Sequence, residues 1–305
     1  MAEHSPGQGR RRAPGLVLRG ICMGVADVIP GVSGGTVALI TGIYDDLVAS
    51  LAAVDARLLG SLFRGRFGEA WRLINGGFLL PLGAGIAAAI LSLAWLITYL
   101  LSNHPVPVWG FLTGLIAASA LVVGRRAGNW RFGLLIAAVA GGAAGFGIST
   151  AIPVQTGEGP VEFLLSGAVA SVAMILPGIS GSFILLLLGK YRQVFQAVAD
   201  FDLEILVVFG AGFAIGILLF AKILKRLLAR AHGQTMAFLV GLMAGSLRRV
   251  WPFREPAAGT GAEGERYTCV LPSELGAETA AALALMAVGA LVVAAIEALG
   301  RGPRR

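Results

Sequence analysis

The sequence predicts an all-α polytopic membrane protein, an inverted repeat in which each half is one re-entrant helical hairpin plus three transmembrane helices. Three observations carry that expectation: an apolar composition, long stretches without a charge, and a motif that occurs twice. The 305 residues are 56% hydrophobic and 13% charged, where soluble domains average about 25% charged. Mean hydropathy is +0.81, which excludes an ordinary soluble enzyme. Gly reaches 44 residues but follows no three-residue period and lies inside apolar runs, so neither a collagen-like nor a disordered chain fits. Two Cys and three scattered His make no disulfide framework and no metal-ligand cluster, so neither a metal nor a cofactor is expected. The net charge of +7 sits in short Lys and Arg clusters between apolar segments. That is the pattern of membrane topology rather than of nucleic-acid binding.

In chain order, residues 1–14 are polar and basic, lack a cleavage site, and are expected to form a disordered cytoplasmic tail. The first repeat is expected over 15–152 and the second over 161–299. Six full spans follow from the uncharged stretches: 76–101, 106–124, 131–152, 203–221, 234–250 and 277–299. The stretch 73–124 is too long for one span, and Asn103-His104-Pro105-Val106-Pro107 supplies the break between two. Segments 16–43 and 161–189 differ, because each is cut by Pro-Gly followed by Ser-Gly. Half of such a segment, about 13 residues, rises roughly 20 Å as a helix, short of the roughly 30 Å hydrocarbon core. Pro removes a donor and Gly permits the turn that follows. Each segment therefore reads as helix, tight break, helix: a re-entrant hairpin.

The repeat is visible directly. Shifting by 147 residues aligns Gly20–Tyr44 with Gly167–Tyr191, and nine of 25 positions agree, among them Pro30, Gly31, Ser33, Gly34, Gly42 and Tyr44. A second match pairs 111–119 with 238–246 and keeps six of nine residues. Three spans per half is an odd number, so the second half enters from the opposite side. With both hairpins returning to their own side, and both termini in the cytoplasm, 18 of the 24 Lys and Arg fall inside. Making both hairpins full crossings gives 11 inside and 13 outside; letting only the second cross gives 17 to 7, and repeat symmetry breaks that tie. Arg248 and Arg249 stand as an outside pair that this topology does not explain.

An inverted pair of broken hairpins brings two tips toward the midplane, where half-helix N-termini offer unpaired backbone N–H groups and a positive dipole end. Such a place suits an anion. Gly31, Gly34, Gly35, Gly178 and Gly181 permit close approach, and Ser33, Thr36, Ser180 and Ser182 add hydroxyls. The bland alternative is that these small residues only let helices pack tightly; the same pattern at matched places in both halves weighs against it. Asp27 is the only acid or base between Gly20 and Tyr44. An intramembrane carboxylate is by default a functional candidate, here a coupling residue for a proton or sodium ion, with a cap on the broken backbone as the plainer reading. Its repeat partner is Met174, so its role belongs to one half only. Arg19 and Lys190 flank the hairpins near the interfaces, where they either meet a phosphate or snorkel, and snorkelling is the expected role.

Gly24-Val-Ala-Asp27-Val-Ile-Pro30-Gly-Val-Ser-Gly-Gly-Thr36 with Gly42-Ile-Tyr44, and Leu176-Pro-Gly-Ile-Ser-Gly-Ser182 with Gly189-Lys-Tyr191, closely resemble the signatures of the polyprenyl-phosphate (undecaprenyl-phosphate) transporter family of bacteria and archaea. The resemblance runs from about Arg19 to Arg249, while 251–276 looks idiosyncratic. It implies a flippase of the cytoplasmic (inner) membrane that moves the phosphorylated carrier lipid from the outer to the inner leaflet, for reuse in peptidoglycan and other envelope polymers. The residues alone specify only an anion site between inverted repeats. Two rivals remain at that level: a membrane lipid-phosphate phosphatase, against which stands the lack of a nucleophile with its base, and a small-anion secondary transporter. The latter needs only a sealed central site, whereas a flippase needs a lateral opening for the prenyl tail.

Overall fold

The computed structural model describes residues 13–29, 31–256, 267–272, 274 and 276–300. It is almost wholly helical. The first half runs α1 (Ala13–Val28), α2 (Gly34–Ile40), three short helices α3 (Tyr44–Ala52), α4 (Ala56–Phe63) and α5 (Phe67–Leu73), then α6 (Gly76–Asn103), α7 (Pro105–Arg126) and α8 (Phe132–Thr150). The second half runs α9 (Pro160–Ile175), α10 (Gly181–Leu187), α11 (Tyr191–Asp200), α12 (Leu203–Arg230), α13 (His232–Val250), a two-stranded antiparallel hairpin of β1 (Arg254–Pro256) and β2 (Tyr267–Cys269), and α14 (Ala277–Gly300). Of the expected tail, residues 1–12 lie outside the described residues, and Ala13 and Pro14 already belong to α1. Pro30 and residues 257–266 also lie outside them.

Local chemistry sets the boundaries. Pro105 and Pro160 open α7 and α9, where a missing N–H costs nothing. Asp202 caps α12 by accepting from the Glu204 and Ile205 N–H groups. The two broken segments interrupt where expected, after Val28 and after Ile175, but their arms are unequal: 16 residues before each break and seven after it. The short arms stop because Gly42 and Gly189 both take φ +67°, a left-handed turn that glycine makes without strain. Each then hands over to a new helix that starts at a tyrosine.

Five helices are long and apolar enough to cross a membrane: α6, α7, α8, α12 and α14. The sixth expected span, α13, is 19 residues long but carries His232 and Gln234 at one end and Arg248 and Arg249 at the other, which lowers its mean hydropathy. It is also deeply buried, with Ala237, Leu239, Leu242, Met243 and Val250 at most 1% exposed.

Close approaches at glycine define four helix pairs. Gly20 and Gly24 of α1 meet Leu82 and Ile86 of α6, and Gly212 and Gly216 of α12 meet Leu164 and Ala168 of α9. Gly110 and Gly114 of α7 meet Ala282 and Met286 of α14, and Gly141 and Gly145 of α8 meet Phe238 and Leu242 of α13. Residue numbers rise together across every pair, so all four are parallel. Small residues let backbones touch, which is how helices associate where surrounding lipid removes the hydrophobic drive. Within this frame the main core draws on both halves, with Val32, Ile43, Ile116, Ile175, Leu239 and Met243 in one cluster.

Candidate functional site

The breaks of the two interrupted segments meet each other. Gly31 and Gly178 occupy matched positions with φ +94° and +85°, conformations that L side chains rarely adopt. The Ser33 hydroxyl accepts from the Gly35 N–H at 3.0 Å, capping α2, and donates to the Met174 carbonyl of the other half at 3.0 Å. The Gly178 N–H donates to Thr36 Oγ1 at 3.0 Å, and the buried Tyr44 hydroxyl donates to the Ile175 carbonyl at 3.2 Å. Three hydrogen bonds thus tie the two tips across more than 130 residues of sequence.

A small pocket opens beside this junction. Gly31 lines it from the first tip, and Gly178, Ile179, Ser180 and Phe183 from the second; Gly145, Ile148 and Ser149 of α8 and Ser246 and Arg249 of α13 complete the wall. The Arg249 guanidinium lies 4.3 Å from the centre of the Phe183 ring, and among the described residues no carboxylate pairs with it. A cation held over an aromatic face at the wall of a pocket is chemically suited to an anion. Its backbone is held from the far side. Arg254 Nη1 donates to the Arg249 carbonyl at 3.1 Å while its own guanidinium lies 4.5 Å from the Trp109 ring centre. Burial draws the Arg254 side chain below its ordinary pKa, yet an arginine stays protonated at neutral pH.

Of the nine residues expected to hold an anion, Gly31, Gly178 and Ser180 face the pocket and the other six do not. Ser33 and Thr36 are consumed in joining the tips. Gly34 donates its N–H to Asp27 Oδ1 at 2.7 Å, so this chain's own carboxylate fills the place at the start of α2 where an external anion was expected. A Cβ on Gly35 would strike the Ile175 carbonyl, and one on Gly181 would sit 2.7 Å from Met174 Cγ. Ser182 hydrogen-bonds Ser180 at 2.7 Å. Lys190 does not snorkel: it is wholly buried, with Nζ donating to the Gly157 carbonyl at 2.5 Å and to Gln193 Oε1 at 2.8 Å, and it pins the 153–159 segment over the end of α10. Arg249 itself escaped the sequence reading, which counted it as a loop charge; its failure to fit the charge rule was the available signal.

The profile of the VCA0040-like family, described as undecaprenyl phosphate translocase-like, matches residues 23–266, a stretch that holds both tips, the pocket and Arg249. The chain belongs to this family. Among curated proteins, this undecaprenyl phosphate translocase-like chain is 45% identical over 238 residues to a polyprenyl-phosphate transporter of Vibrio cholerae serotype O1, covering 78% of this chain and 77% of that one. It is 32% identical over 255 residues to a polyprenyl-phosphate transporter of Staphylococcus aureus, covering 77% and 85%. No solved structure matches it.

Proposed function

We propose that this protein transports polyprenyl phosphate, moving the phosphorylated carrier lipid from the outer to the inner leaflet of the cytoplasmic membrane with both termini in the cytoplasm. The observation that carries the reading is Arg249, which has no carboxylate partner among the described residues and faces the junction of two matched tips. In this reading Gly31, Gly178, Ser180 and Arg249 receive the phosphate, while Ser33, Gly34, Gly35, Thr36, Gly181 and Ser182 build the surface that receives it. The two halves form an inverted repeat with re-entrant hairpins. Support comes from the pairing: α1 runs parallel to α6 and α9 parallel to α12, which requires the chain between the partners of each pair to return to the side it left. Exchanging the halves also turns the α1–α6 pair into α9–α12 and the α7–α14 pair into α13–α8. Asp27 is proposed to couple transport to a proton or sodium ion, releasing the Gly34 N–H during the cycle.

A phosphatase is disfavoured by what the pocket hydroxyls touch. Ser149 and Ser246 donate to helix carbonyls, those of Phe146 and Met243, and Ser180 bonds Ser182; none meets a base that would activate it. The decisive measurement is leaflet exchange of polyprenyl phosphate in vesicles holding the purified protein. Loss of one charge-assisted contact costs about 1.5–3 kcal/mol, so Arg249→Ala should slow exchange about 10- to 100-fold and Arg249→Lys less. Unchanged exchange by Arg249→Ala would remove the phosphate from this pocket, and release of inorganic phosphate by the intact protein would restore the enzyme.

A further inference from the structure

We propose that the seam between α8 and α10 is the lateral portal through which the lipid's prenyl tail leaves the phosphate pocket for the bilayer. The portal presupposes the polyprenyl-phosphate reading and adds the path of the apolar part of the substrate. Three observations converge on it. First, the pocket wall is shared between α8, through Ile148 and Ser149, and the second tip with Phe183, so the seam between those two elements borders the pocket directly. Second, α8 seats its glycine face on α13 alone and turns Leu135, Val139 and Phe146 outward, each at least 50% exposed. On its other side Ala144 and Ile148 rest against the apolar cluster that includes Phe183 of α10.

Third, the corresponding seam of the first half carries a valine in place of the cation. There α2 meets α14 and α7, and Ile40, Val122 and Val293 are at most 6% exposed in one apolar cluster. Val122 stands three residues beyond Ser119 and Arg249 three beyond Ser246, the two serines that end the matched block. One half thus places a buried valine where the other places the cation. At the portal's mouth the Arg248 guanidinium lies 5.7 Å from the Phe146 ring centre. A cation beside an apolar seam complements a chain that is anionic at one end and hydrocarbon along its length, and the proposed occupant is one polyprenyl monophosphate.

The test places a photoreactive benzoylphenylalanine in the full-length protein at Ile148 on the portal, at Ile296 beside the corresponding first-half seam, or at Leu135 on the outward face of α8. The carriers are phosphatidylcholine vesicles containing a trace of labelled polyprenyl monophosphate. Irradiation should attach the label at position 148 at least severalfold more than at the other two. In parallel, Ala144→Trp, which enlarges a side chain resting on the cluster that includes Phe183, should slow leaflet exchange about tenfold. Labelling strongest at 296, or equal at all three, with exchange by the natural protein intact, would overturn the portal and leave the transport reading standing. Absence of both exchange and labelling would sink the two together.

Discussion

The two tips share a backbone, with φ +94° and +85° at Gly31 and Gly178 and +67° at both Gly42 and Gly189, and they differ in what stands in front of that backbone. At the first, Asp27 holds the Gly34 N–H and Ser33 caps α2, so its polar groups are satisfied from within. At the second, Met174 replaces the aspartate and no side chain caps α10. Phe183, matched to Thr36, instead offers its ring to Arg249. The two halves share the turn geometry, and in the proposed reading the substitutions at the matched positions of Asp27 and Thr36 leave the second tip open to the anion. In that reading the first tip mainly supports, contributing only Gly31 to the pocket, and the second mainly receives.

The sharpest way to break that division is to fill the two turns. Valine at either position is strained by its positive φ, by about 1–3 kcal/mol or more. At Gly178 the added Cβ would also lie 2.9 Å from the Met243 Cα and 2.7 Å from Ser246 Oγ, whereas at Gly31 it meets only side chains, Arg249 at 3.1 Å and Val250 at 3.8 Å. Backbone cannot yield and a long side chain can. Gly178→Val should therefore abolish vesicle exchange, and Gly31→Val should depress it less, with both proteins still inserting in the membrane. Normal exchange in both variants would end the assignment of the tips to substrate.

A second test restores the missing carboxylate. Met174→Asp puts an acid at the matched position of the receiving tip, where it competes with phosphate for the same positive surroundings. Exchange should fall roughly tenfold, the scale of one unfavourable charge contact of about 1.4 kcal/mol. An unaltered rate would mean that the second tip does not meet the anion.

Much of this division was legible beforehand and part of it was not. The breaks, their doubling and their positions follow from Pro-Gly and Ser-Gly, whose effects are local. The seven-residue arms follow from Gly42 and Gly189, which the repeat match had marked without showing that they turn the chain. Arg249 lies more than 60 residues from either tip in sequence, and counting loop charges gives every arginine the same meaning. Only packing α13 between the halves distinguishes it from Arg125 or Arg230. Asp27 shows the opposite limit. Its isolation was plain, but whether an intramembrane carboxylate turns to its own backbone or to a ligand depends on the angle of a break that sequence does not encode.

Two serines compare the tips more gently. Ser33→Ala removes a helix cap and a link between the halves, worth about 1 kcal/mol, and should lower the thermal midpoint of the detergent-solubilised protein. Ser180→Ala leaves the tip junction intact and should instead raise the lipid concentration for half-maximal exchange a fewfold. A shared effect, with both variants losing stability alone, would merge the supporting and receiving roles.

The smallest change in exchange belongs to Asp27→Asn. Asparagine keeps an oxygen where Oδ1 now accepts from the Gly34 N–H, so the first tip should hold its shape and passive equilibration between leaflets should continue within about twofold, the scale of a neutral in place of a charged hydrogen bond at a site remote from the phosphate. What the amide cannot do is change charge. If Asp27 couples transport to a proton or sodium ion, its neutral replacement leaves the phosphate to move without a compensating partner, and an imposed pH or sodium gradient should no longer drive accumulation in the inner leaflet. The two measurements separate what a single rate would confound. Exchange kept with accumulation lost makes the carboxylate both cap and coupler. Exchange and gradient response both kept make it a cap alone, and the search for the coupling group then moves to the receiving tip.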